Sequence, residues 1–282
     1  SNNRPVITMK GGNRMVTDRV KRGDRATATV NPHLIATRSG QQNRSGMTDC
    51  RNAFRGSTAY GICVYNDGSL DYGINQFDID NLAGATVINS YDGIGGMVYN
   101  PNNSHFYVSD YSNSMLYEVD ADGNVLNTVG TDYAIVSLAW DQTTNTLYSM
   151  DSYSWLNITD PTTGEMTDID ALSNTDVMCI TANANGQLFG VLYGDTSALV
   201  SIDKTDATVT TICTLNAGCN YAQSMAFDMN DNKLYWAQCY DDSNLYEINP
   251  TTGALTLKAA NTSEICGLCI PATAGPTPPT PP

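Results

Sequence analysis

Five segments of the chain repeat one pattern: an apolar strand, an Asx-rich turn, a Leu-Tyr-like strand, a loop, then a strand ending near Ile-Asp and a Thr-Gly-like turn. Four copies are complete: GGMVYNPNNSHFYVSDYSNSMLYEVDADGN, VSLAWDQTTNTLYSMDSYSWLNITDPTTGE, MCITANANGQLFGVLYGDTSALVSIDKTDAT and QSMAFDMNDNKLYWAQCYDDSNLYEINPTTGA. The fifth, STAYGICVYNDGSLDYGINQFDIDNLAGA, lacks its first strand. An anchor column of Asp78, Asp120, Asp160, Asp203 and Asn249 recurs at intervals of 42, 40, 43 and 46 residues. A unit this short cannot cover both of its own faces, so neighbouring units must pack against it.

A period of 40 to 46 residues with four short strands per unit is the signature of propeller blades. The expected fold is therefore all-β, a five-bladed β-propeller over residues 56–272. Residues 1–55 are expected to form an extended basic arm, and residues 273–282 a Pro/Thr-rich polyproline II tail. The ring must close, and EICGLCIPA (residues 264–272) aligns with the first strands of the complete units. The C-terminal strand is thus expected to complete the N-terminal blade. Strand alternation sends residues i and i+3 to opposite faces, which argues against Cys266 and Cys269 sharing a metal ion or a disulfide. Both read as small core residues.

The repeat resembles propellers with NHL-like, YWTD-like or quinoprotein-like blades. NKLYWAQ and NTLYSMD, followed by YEINPTTG and NITDPTTG, are similar to the "LY…ID…TG" pattern of that superfamily. The resemblance covers residues 56–272 and implies the fold, with binding or scaffolding a commoner role than catalysis. The acid that follows the Leu-Tyr pair falls at Asp110 and Asp151 alone.

Charge divides the chain. Residues 1–55 carry a net +8, including Arg4, Lys10, Arg14, Arg19, Arg22, Arg25 and Arg38, whereas the remainder carries −23, for the −15 of the whole. Arm and body should attract each other, within one molecule or between copies. So acidic a body does not suit nucleic acid, and no run of 18 apolar residues suggests membrane insertion. The chain opens at Ser1 with no apolar leader, which points to a processed or trimmed start. PVITM (5–9) and RATATVNPHLIATR (25–38) are strand-prone and lie outside the ring, so they are expected to pair with a blade edge or with another copy.

Catalytic chemistry finds little material. The first strands present Met97, Leu138, Ile180, Met225 and Leu268 on one face and Gly96, Ser137, Cys179, Ser224 and Gly267 on the other, with no carboxylate for glycoside hydrolysis. His33 and His105 are the only histidines, which leaves triads and zinc sites unsupplied. No cofactor and no metal are expected. Calcium is the one ion left open, through loop acids Asp92, Asp132, Asp176 and Glu264, although solvated loop acids are the commoner explanation.

A more distinctive pattern lies after the second strands, where Tyr65, Tyr111, Tyr153, Trp155, Tyr193 and Tyr240 should gather on one rim beside small and acidic residues. Such a rim could stack sugars or accept a cationic protein segment; capping of strand ends is the plain alternative. Cys213 and Cys219 flank a short loop and are candidates for a disulfide in an oxidising compartment. Asn43, Asn102, Asn157 and Asn261 sit in glycosylation sequons.

These features lead to an expectation of a non-enzymatic structural subunit of an extracellular or surface filament, fibre or appendage. The propeller would be the bead, the arm and tail the connectors, and copies of the same chain the partners. The alternative is a lectin- or adhesin-like propeller that binds glycans or protein through the tyrosine rim.

Overall fold

The computed structural model describes residues 31–38 and 56–273. Within them lie five antiparallel four-stranded sheets arranged as the blades of a β-propeller. The seam blade runs outward from the axis as β20 (Glu264–Cys269), β1 (Thr58–Tyr65), β2 (Gly73–Asp78) and β3 (Asn81–Asn89). The second holds β4 (Met97–Asn100), β5 (His105–Asp110), β6 (Met115–Val119) and β7 (Val125–Gly130). The third holds β8 (Ile135–Asp141), β9 (Thr146–Asp151), β10 (Trp155–Thr159) and β11 (Met166–Ala171). The fourth holds β12 (Val177–Ala182), β13 (Leu188–Leu192), β14 (Ser197–Ile202) and β15 (Val209–Leu215). The fifth holds β16 (Ser224–Phe227), β17 (Leu234–Cys239), β18 (Ser243–Ile248) and β19 (Leu255–Ala260).

The closure expected from the sequence is present. β20 pairs antiparallel with β1, Ile62 opposite Cys266 and Cys63 opposite Ile265. One detail of the strand differs from simple alternation. Gly267 takes φ +64°, and the register slips between Tyr60 and Ile62, as in a β-bulge with a left-handed glycine. The bulge resets the side-chain parity, so Cys266 and Cys269 both join the core facing the second blade, while Ile265 and Leu268 face the fifth. Both thiols are free and buried, and burial pushes that of Cys266 up to about 12.

The two columns read on the first strands form one device at the axis. Met97, Leu138, Ile180, Met225 and Leu268, each at most 4% exposed, fill the axial channel. Each small residue preceding them abuts the backbone of the next blade. Ser137 Oγ accepts from Ile180 N at 3.0 Å and Ser224 Oγ from Leu268 N at 2.9 Å, and the Cys179 thiol meets the backbone of Met225. A Cβ on Gly96 would stand 2.4 Å from Leu138 N, and one on Gly267 3.1 Å from Met97 N. These five contacts run once around the circle, holding exposed inner edges together where no sheet pairing is available.

The anchor column is turn chemistry. Asp120 accepts from Asp122 N and Asn124 N, Asp160 from Thr162 N, Asp203 from Thr205 N and Asn249 from Thr251 N. These Asx turns sit between the third and fourth strands of their blades, on the face opposite the tyrosine rim. Much of the body's acidity is therefore fixed in turns away from the rim. On that same face Lys204 Nζ reaches the fully buried Asp141 Oδ2 at 2.9 Å, tying the fourth blade to the third. Arg4, Lys10, Arg14, Arg19, Arg22, Arg25, Asn43, Cys50 and the tail from residue 274 lie outside the described residues.

Candidate functional site

The loops after the second strands converge on one rim with the connections between blades. Buried aspartates shape two of them. Asp110 accepts from Asn113 Nδ2 and the Tyr117 hydroxyl, and Asp151 from Tyr153 N, Trp155 N and Asn157 Nδ2. The two acids after the Leu-Tyr pattern are thus loop builders. They set the backbone that carries Tyr111, Tyr153 and Trp155.

The rim aromatics are engaged. Tyr153 meets Tyr133 edge-on, 6.1 Å between centroids. Tyr111 packs, together with Ile35, on the core of the third to fifth blades. The Tyr240 hydroxyl donates to Asp195 across a blade boundary, and this bond raises its pKa to about 12. Tyr193 and Tyr65 receive side chains from the N-terminal arm.

Residues 31–38, Asn-Pro-His-Leu-Ile-Ala-Thr-Arg, lie across this rim. The sequence led us to expect a strand against a blade edge; Asn31 instead caps a 3₁₀ turn, Pro32–Leu34, because the proline supplies a turn-compatible φ and no donor. Asn31 Nδ2 donates to Thr175 O at 3.0 Å. The His33 ring stacks on Tyr193 at 3.9 Å and 19°, and its Nδ1 donates to Asn220 Oδ1 at 2.9 Å. Leu34, 2% exposed, enters the core beside Val136, Met178 and Cys179. Ala222 N then donates to Ala36 O at 2.8 Å.

Arg38 ends the segment over the seam. Its backbone N–H donates to Glu264 Oε2 at 3.0 Å and its Nη1 to Asp241 O at 3.2 Å. Nη2 pairs with Asp67, and the guanidinium lies 5.8 Å from the centre of the Tyr65 ring. Glu264 is fully buried; burial raises its pKa to about 7 against the opposing pull of Arg38. Arg38 Nε and Glu264 Oε1 are buried without a hydrogen-bond partner among the described residues. The cationic side chain is therefore bound by an aromatic face, a carboxylate and a carbonyl, while the buried acid holds the backbone N–H of the same residue. The seat is occupied by residues 31–38 of the same chain.

Sequence reasoning named Arg38 and all six rim aromatics but missed His33, Leu34, Asn220 and Glu264 as parts of one seat. Glu264, read from the sequence as a loop acid, is the first residue of β20 and is fully buried. No group of three or more His, Cys, Asp or Glu side chains among the described residues is arranged to hold a metal ion. Asp132, one of the loop acids considered for calcium, accepts from Met166 N at 2.9 Å.

The opposite mouth of the channel holds a cavity of about 50 Å³. It is lined in part by Tyr99, Trp140 and Phe227 with Gln142, Asn183 and Asp228. Those last three are already used in turns and blade contacts: Gln142 donates to Ala184 O, Asn183 accepts from Gln187 N and Asp228 from Asn230 N. Cys213 and Cys219, the pair considered for a disulfide, are both free thiols. Cys213 lies against the Gly253 turn of the fifth blade, whereas Cys219 is buried near Cys179 and Cys239. Asn102 and Asn261 are exposed, but Asn157 is fully buried with its amide donating to Asp151 Oδ2 and Trp155 O, so a glycan has no room there.

No family model and no curated protein match the chain. Solved structures do. A chain of the nidogen/laminin complex is similar at 11% identity, covering 76% of this chain and 98% of its own, with a TM-score of 0.52. A structural genomics protein of unknown function from Bacteroides thetaiotaomicron is similar at 15% identity, covering 79% of this chain and 66% of its own, with a TM-score of 0.55. The likeness is one of fold. It agrees with the blade resemblance of the repeat and leaves function to the site itself.

Proposed function

We propose that this protein is a non-enzymatic assembly subunit of an extracellular or surface filament, fibre or appendage, with the propeller as its globular unit and the arm and tail as connectors. One observation carries the reading: the rim holds an eight-residue protein segment by a stacked histidine, a buried leucine and a clamped arginine. A surface that fits a cationic segment of this chain fits protein-mediated assembly better than turnover of a small substrate. The charge division, +8 on residues 1–55 against −23 on the rest, favours association of arms with bodies.

Negative-stain microscopy and light scattering on the full chain test this, beside a variant lacking residues 1–38. The full chain should form filaments or defined oligomers that loosen at high salt, where charge attraction is screened, and the variant should stay dispersed. A full chain that remains monomeric at every concentration would sink the proposal, as would a variant that assembles equally well.

A second reading rests on Tyr193, which keeps 36% of its surface exposed beside the His33 ring. It is glycan binding on the rim. A glycan array with Tyr111→Ala, Tyr153→Ala and Tyr193→Ala separates the two, because an assembly subunit shows no rim-dependent sugar signal.

A further inference from the structure

We infer that the rim seat is shared between copies: in the assembled protein, residues 31–38 of one molecule lie on the rim of a second, making there the contacts they make within one chain. This rests on the assembly reading above and names its partner surface. The first support is the specificity of the seat. Thr175, Tyr193, Asn220, Asp67 and Glu264 come from three successive blades and engage three residues of the segment: Thr175 meets Asn31, Tyr193 and Asn220 meet His33, and Asp67 and Glu264 meet Arg38.

The second support is the tether. Arg38 is held on the rim, while Gly56 N donates to Asp78 Oδ2 at 2.7 Å on the opposite face, where β1 begins. Residues 39–55 join these points. Seventeen residues reach up to roughly 60 Å, against roughly 26 Å for the eight-residue height of β1. The seat is thus within reach on the same molecule and on an adjoining one. Loop-closure free energy changes only slowly with length, so exchange of an identical segment between copies costs little.

The third support is where the fit is incomplete. Among the described residues, Arg38 Nε and Glu264 Oε1 have no hydrogen-bond partner, at the end of the segment from which the tether leaves. When the tether departs toward another molecule, that end is free to settle. Exchange also places a basic arm against a neighbour's acidic body, offsetting repulsion between like-charged propellers.

Two full-length variants decide the matter. One carries Leu34→Asp and Arg38→Glu, which disable the segment and leave the rim intact. The other carries Asp67→Arg and Tyr193→Ala, which disable the rim and leave the segment intact. Neither should self-associate, but mixed they should form a one-to-one complex of twice the monomer mass by multi-angle scattering, the second lending its segment to the first. If the mixture stays monomeric while the unaltered protein assembles, exchange is wrong and the assembly reading survives. If the unaltered protein never assembles, the assembly reading fails, and the mixture still decides exchange. Should either variant misfold, the synthetic peptide NPHLIATR is titrated into the assembled unaltered protein. Tenfold excess should halve the assembled fraction, the Arg-to-Glu peptide should not, and equal behaviour of the two peptides overturns the inference.

Discussion

Ile62 stands opposite Cys266 across the antiparallel pair that joins the two ends of the propeller. Among the described residues β20 is the only strand of the seam blade drawn from the C-terminal side, and this pairing closes the ring. A chain ending at Ser263 leaves Ile62, Met97 and Ala226 without their inner neighbour and exposes the edges of two blades. It should lose cooperative thermal unfolding and near-ultraviolet circular dichroism. Within the intact chain, Ile265→Ala at a 1% exposed site should cost about 2–5 kcal/mol by urea denaturation.

The axial ring gives a graded prediction. Ser137→Ala and Ser224→Ala each leave a buried N–H of the next blade without its acceptor, at a cost of about 1–3 kcal/mol. The two bridge different pairs of blades, so the double variant should show the sum. Gly96→Ala should cost more than either, because its Cβ would meet backbone at 2.4 Å where nothing flexible can yield. Equal urea midpoints for all three variants would mean that the blades are not held at the axis.

Most of the ring was legible because the repeat forces it. Asx turns and alternating strands report local chemistry, and five of them at one period fix the closure and the composition of the inner columns. The bulge at Gly267 was not legible, since a glycine within a strand marks either a bulge or a close approach, and here it is both. The rim aromatics could be named because each follows its own second strand. The seat could not, because His33, Leu34 and Arg38 are distant in sequence from Asn220 and Glu264 and meet them only through the path of a segment with no repeat to align it.

Two buried carboxyls set opposite pH dependences. Glu264, buried near Arg38, Asp67, Cys239 and Cys266, has its pKa raised to about 7, so the stability linked to it is present below the ordinary glutamate range and is lost as pH rises toward 7. Asp141 is the reverse. Burial works to raise its pKa, but Thr143, Lys204 and Thr144 together hold it at about 2, so its contribution is present above the ordinary aspartate range and is lost as pH falls toward 2. Melting temperature should therefore peak near pH 4 to 5. Glu264→Gln should flatten the alkaline side of that peak, and Asp141→Asn should flatten the acid side while costing about 2–3 kcal/mol at neutral pH.

Leu34 distinguishes a docked segment from a part of the ring. Its 2% exposure is that of a core leucine, and Leu→Ala in a core costs about 2–5 kcal/mol. If the segment lifts away while the five blades stay closed, global stability should register little of that loss. Local opening should register it instead. The sensitive reporter is the amide of Ala222, which donates to Ala36 O and is freed when the segment leaves. In Leu34→Ala its hydrogen exchange should quicken at least tenfold, and Arg38→Ala should act in the same direction, while the melting temperature moves by no more than a few degrees. A fall in melting temperature as large as that of Ile265→Ala, with Ala222 exchanging no faster than amides of β16, would show instead that residues 31–38 are an inseparable part of the propeller core.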